Sequence, residues 1–125
     1  WYLLWSLLHH LQRCIPSQPI QPASKGHALV IPKEHYPNLY EWPAEEAAGA
    51  FLLAKEMITK MKDKLGCDGF NVLQNNGEAA GQTVFHVHMH VIPRYKGDQV
   101  QITWKPGEQT DVIADEILAE IQKAL

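Results

Sequence analysis

Cysteine is nearly absent: the 125-residue chain holds only Cys14 and Cys67, far apart and in no C-x-x-C pair. That excludes a disulfide framework and fits a reducing, cytoplasmic setting. Long apolar runs are missing too. The opening Trp1-Tyr2-Leu3-Leu4-Trp5-Ser6-Leu7-Leu8 stops at His9-His10, well short of the roughly 20 residues a membrane helix needs. No membrane partner is expected. Neither sign of charge dominates, since eleven Lys and Arg face fourteen Asp and Glu for a formal charge of −3. Such a balance offers nucleic acid no general attraction, and none is expected as a partner. No internal repeat or low-complexity stretch is present. The sequence opens on Trp1 and not on Met, so no targeting signal is read from its first residues.

What remains is the composition of one soluble globular domain, 46% hydrophobic and 20% charged. Trp1, Leu4, Trp5, Leu8 and Leu11 recur at helical spacing and predict an amphipathic packing helix. Residues 14–24 hold Pro16, Pro19 and Pro22 and read as an irregular connector. His27-Ala28-Leu29-Val30-Ile31, closed by Pro32, reads as a buried strand. Ala47, Phe51, Ala54, Ile58, Met61 and Leu65 then step along one helix face, with Pro43 suited to the first turn and Gly66 to the stop. Residues 68–74 predict a strand, and Asn75-Asn76-Gly77-Glu78-Ala79-Ala80-Gly81 a polar loop. Residues 83–92 alternate as a half-buried strand ended by Pro93. Residues 95–98 suggest a turn and 100–104 a further strand. Val112, Ile113, Ile117, Ile121 and Leu125 mark a closing amphipathic helix.

Four of the seven histidines carry the chemistry: His27, His86, His88 and His90. Side chains two apart on a strand share a face, so His86, His88 and His90 are expected in a row, about 6.6 Å apart. Mutual repulsion of charged rings favours neutral imidazoles near pH 7. A neutral ring whose N–H is held by a carbonyl aims the lone pair of its other nitrogen outward as a nucleophile. The central His88 is the candidate. Three imidazoles on one face also suit a zinc ion with an open fourth position, so a metal-dependent three-His hydrolase stays open on spacing alone.

His86-Val87-His88-Met89-His90-Val91-Ile92 matches in full the signature of the histidine triad (HIT) family, and the chain resembles that family. Gly26-His27-Ala28-Leu29-Val30-Ile31-Pro32-Lys33, Asn75-Asn76-Gly77-Glu78 and Gly81-Gln82-Thr83-Val84 extend the likeness over residues 20 to 105. It is similar to the bacterial branch near Hint and Fhit proteins, because the transferase branch has His-Pro-His instead. The resemblance implies an α+β fold with a five-stranded antiparallel sheet and two main helices, usually a homodimer. It divides the chain into a divergent segment, 1–22, and a HIT domain, 23–125.

It further implies a purine nucleotide-type substrate, such as a nucleoside phosphoramidate or dinucleoside polyphosphate, attacked at the α-phosphorus without a cofactor. His88 would be the nucleophile that forms a nucleotidyl-imidazole. His86 and His90 would donate to phosphate oxygens or orient His88, and Asn75 would contact the phosphate. Gln82 and Thr83 would flank the leaving group, and His27 would support the triad. Two departures stand out. Pro19 occupies the neighbourhood where relatives place a ribose-gripping acid. The Cys-x-x-Cys that in many bacterial relatives joins the equivalents of His35 and His86 around structural zinc is missing. No metal is therefore expected, and His35 is placed at the surface or in a dimer loop. The lost acid keeps a non-catalytic nucleotide-binding or interaction protein open beside the enzyme.

Overall fold

The computed structural model describes residues 13–125. The helix expected over residues 1–11 lies outside them. Four antiparallel strands, β1 (Cys14–Ser17), β2 (Ala28–Pro32), β3 (Gly69–Leu73) and β4 (Met89–Arg94), form one sheet in the order β1-β2-β4-β3. Helix α1 (Ala44–Leu65) packs on the sheet, and α2 (Asp111–Ala124) closes the chain. This is the α+β architecture that the sequence resemblance implied, with four strands among the described residues.

α1 begins and ends where its sequence signals stand. Pro43 caps it with extended backbone, and Glu45 and Glu46 lie in the first turn, where the helix dipole favours negative charge. Gly66 ends it in the left-handed conformation at φ 61°, its N–H donating to the Lys62 carbonyl. The buried stripe, however, runs through Glu46, Gly49, Ala50, Leu53 and Ala54. Phe51, expected on that stripe, is 60% exposed. Small residues at the contact let the helix lie close to the sheet, and the bulky ring is rotated outward.

Strand alternation decides which face each residue joins. In the registers Ala28↔Val91 and Val30↔Met89, all four residues are buried with Ala50, Leu53, Ala54 and Trp42. Each fully buried valine contributes roughly 1.5–3 kcal/mol relative to an exposed one. The intervening pair Leu29↔His90 is half-buried and belongs to the opposite face, beside Leu73 of β3. His90 is thus pinned to the sheet face that α1 does not cover.

Three expected elements are corrected. Residues 14–17, taken as connector, form β1; it is an edge strand, where Pro16 costs no ladder on its outer side. The strand over 83–92 shrinks to β4, with a bend at residues 84–86. There the Val87 N–H donates to the Tyr36 carbonyl at 2.7 Å, and the His86 carbonyl takes a side chain, so neither group is used for ladder pairing. Residues 100–104 form no strand. Val100 spends its N–H on Asp98 and its carbonyl on Arg94 instead.

Candidate active site

The three triad histidines do not form one row. His90 lies in β4, whereas His86 and His88 precede it in irregular backbone. His88 and His90 stay together, their ring centroids 4.9 Å apart and their planes at 72°. The His86 ring turns away, because its Nε2 meets the Pro32 carbonyl at 3.0 Å and its Nδ1 meets Nδ1 of His35 at 3.0 Å.

Carbonyl oxygens can only accept, so these contacts assign protons. His86 carries its proton on Nε2, and His35 therefore donates from Nδ1 to His86. His88 Nδ1–H donates to the backbone carbonyl of His86 at 2.7 Å. The lone pair of His88 is left on Nε2. His90 is half-buried, and that burial, then the nearby His88 and His27, pushes its pKa down to about 4. It is neutral at physiological pH. Burial also lowers the pKa of His27, whose Nε2 lies 2.9 Å from His90 Nδ1.

A cavity of about 440 Å³ opens over this face, lined by His27, Asn75, Thr83, His88 and His90 among others. Five of the seven expected site residues therefore meet at one place. His86 and Gln82 do not line it. His86 instead borders a smaller apolar cavity of about 220 Å³ with Leu29, Ile31, Val84 and His88. Gln82 is buried at 3% exposure. Its Oε1 accepts from the Gly77 N–H, and its Nε2 donates to the carbonyls of Pro37 and Val84. Its polar atoms thus tie Gly77 of the 75–81 loop to the backbone of Pro37 and Val84, and none is left free to flank a leaving group.

Sequence reasoning missed the far wall of the cavity, Gln99 to Ile102. Arg94 holds it through two bonds to the Asp98 carboxylate, at 2.8 and 2.9 Å, and one to the Val100 carbonyl at 3.0 Å. The Arg-x-x-x-Asp spacing after the triad was the available signal. His35 and His86 bring two ring nitrogens together, and among the described residues no group of three or more His, Cys, Asp or Glu is arranged to hold a metal ion, whereas a structural zinc site needs four ligands. The three-His metal site is likewise not formed, since His86 points elsewhere.

This pairing of a carbonyl-held imidazole with a second, neutral one beside a polar loop has relatives. A family profile described as HIT domain matches residues 6–97. The chain belongs to the HIT family. It is 47% identical over 103 residues to an uncharacterized HIT-like protein of Methanocaldococcus jannaschii, covering 82% of this chain and 78% of that one. It is 40% identical over 108 residues to adenosine 5'-monophosphoramidase of Saccharomyces cerevisiae, covering 82% of this chain and 66% of the yeast protein. A solved structure of a HIT family member from Bacillus subtilis superposes with a TM-score of 0.82 at 40% identity, covering 90% of this chain and 82% of that chain. HIT membership thus rests on sequence and on fold together.

Proposed function

We propose that this HIT protein is a nucleotide hydrolase that cleaves the bond between the α-phosphorus of a purine nucleotide and an amine or phosphate leaving group. One observation carries the reading: the 2.7 Å bond from His88 Nδ1 to the His86 carbonyl, which leaves Nε2 as the unprotonated nitrogen of a ring lining the cavity. The yeast relative, named for adenosine 5'-monophosphoramidase activity, supports a phosphoramidate as the first substrate to try.

In the first step Nε2 of His88 bonds to phosphorus while the P–N bond breaks, and the departing amine takes a proton from solvent. In the second a water oxygen attacks phosphorus, the N–P bond to His88 breaks, and the nucleoside monophosphate leaves. Asn75 and the neutral His90 line the same cavity, which supports a role for them as hydrogen-bond donors to the charge on the equatorial oxygens. A Leu, Val and Ile lining beside the polar groups suits a base and sugar that bring their own apolar surface. A homodimer belongs to the same proposal: Phe51 and Leu52 stand exposed on α1, an apolar surface a second copy would bury.

The test is a single turnover of adenosine 5'-phosphoramidate quenched in alkali, which preserves a phosphorus–imidazole bond. Intact mass should show one adenylyl group added, located on His88 by fragmentation. AMP binding without either adduct or turnover would instead identify the non-catalytic nucleotide binder.

A further inference from the structure

We propose that a second cavity, between the start of β1 and the first turns of α1, binds a small primary amine whose ammonium group bonds Glu46. The cavity measures about 260 Å³ and is lined by Arg13, Cys14, Glu45, Glu46 and Leu52 among others. It lies across the sheet from the histidines. Cys14 belongs to the core that packs under α1, whereas His88 and His90 line the cavity on the opposite face. The amine site therefore stands independently of the proposed function.

Glu46 shows what is missing. Its side chain is only 6% exposed, and its Oε1 accepts from Arg13 Nη1 at 2.8 Å. Oε2 is buried as well, yet it has no hydrogen-bond partner among the described residues. A buried carboxylate oxygen without a donor is costly, because it has given up water and gained no bond in return. Burial and then Glu46 raise the pKa of Tyr36, so its hydroxyl stands nearby, yet it completes no hydrogen bond to Oε2.

Charge and size select the ligand. Two carboxylates, Glu45 and Glu46, face one guanidinium, Arg13, so the lining carries one net negative charge. An ammonium brings three N–H donors and no acceptor, enough to bond Oε2 and a second oxygen at once. Ala48, Gly49 and Leu52 offer no polar side-chain atoms and suit a short alkyl chain. Burial and then Glu46 push the Cys14 thiol up to about 11, so it stays neutral and is no thiolate ligand for a metal. Among the described residues no group of three or more His, Cys, Asp or Glu is arranged to hold a metal ion, so an organic cation fits better. The space falls below the roughly 300–1,000 Å³ of drug-sized pockets, which favours a small body over a nucleotide. Arg13, its side chain 58% exposed, forms the outer wall, and a small shift of it opens Oε2 to the ligand.

The test titrates the full chain with n-butylammonium chloride and follows its 1H–15N amide shifts. Saturable shifts at Cys14, Glu46 and Gly49 are expected, with a Kd of about 1 mM. Tetramethylammonium has the charge but no N–H, and 1-butanol has no charge; each should bind about tenfold more weakly or worse. Glu46→Gln should weaken butylammonium by about tenfold or more. Ala48 lines the cavity from an exposed helix position, so Ala48→Leu should fill it and abolish the shifts; this variant decides the matter if Glu46→Gln does not fold. No saturation by about 20 mM, or equal affinity for tetramethylammonium, overturns the proposal. So does unchanged binding in both variants. A blocked Ala-Lys-Ala peptide presents the same ammonium on a protein chain, and tighter binding of that peptide than of butylammonium would overturn the assignment to a free amine.

Discussion

The imidazole of His88 is held by the backbone of His86, its Nδ1–H meeting that carbonyl at 2.7 Å. The His86 side chain faces the other way, toward Pro32 and His35. Removing the two side chains should therefore have unequal effects. His88→Ala is expected to lose turnover by about 10³-fold or more, as loss of a nucleophile does, while AMP affinity stays within a few fold. His86→Ala keeps the carbonyl and is expected to cost only about tenfold, near 1.4 kcal/mol in barrier height. Steady-state rates with adenosine 5'-phosphoramidate, and AMP titrations, check both. Equal losses in the two variants would mean that the His86 ring itself takes part.

Asp98 is the less exposed end of an ion pair whose other end, Arg94, also grips Asn71 and Val100. The bonds from Arg94, with the N–H groups of Tyr95 and Val100, hold the Asp98 carboxyl well below the usual carboxylate range. A depressed acid stabilises the fold fully above its unfolded pKa of roughly 3.9, and that contribution is lost as pH falls below it. Asp98→Asn should lower the melting temperature at pH 7, and the gap from wild type should narrow only in strong acid. Freed from the clamp, residues 99–102 should raise KM more than they lower kcat. A gap that persists unchanged at pH 2 would show that the ionised pair is not its source.

His90 and His27 act with the opposite chemical sense but the same pH direction. Both bases have lowered pKa values, so the unfolded chain takes up their protons first. Their contribution is complete above the unfolded value, roughly 6.5, and is lost as pH falls toward about 4, the value for His90. Urea midpoints should decline between pH 7 and pH 5 in the wild type. In His90→Gln the decline should be visibly shallower. Parallel slopes in the two chains would defeat the assignment.

Two glycines separate backbone strain from crowding. Gly26 has φ +87°, and a Cβ there would stand 2.6 Å from Leu65 Cδ1 and 3.3 Å from Pro93 Cγ. Gly66 has φ +61° with nothing within 4 Å. Gly66→Ala should cost only the left-handed penalty, about 1 kcal/mol. Gly26→Ala adds overpacking to strain, for about 2 kcal/mol or more. It should also slow turnover, because it displaces the turn that carries His27. Denaturant melts of the two variants, with activity assayed beside them, test the order; Gly66→Ala proving the more damaging would refute it.

Much of this protein was legible in one dimension. Pro43, the apolar steps that follow and Gly66 delimit α1 because helix ends depend on local backbone chemistry. The His-φ-His-φ-His run, with Asn75 and Thr83 before it, named the residues of the cavity because family likeness preserves their order along the chain. Strand content was harder. Whether residues 83–88 pair depends on where the Val87 N–H and the His86 carbonyl find partners, and those partners are Tyr36 and a side chain. Alternation alone put all three triad histidines on one face; the bend at residues 84–86 turned His86 away. Gln82 looked like a substrate contact until its burial and its three bonds to the backbone of Gly77, Pro37 and Val84 were seen. Sequence order determined which side chains exist and which local turns they favour. The tertiary structure decided their protons, because an imidazole's tautomer is set by whichever amide or carbonyl, often distant in sequence, comes within 3 Å of its nitrogens.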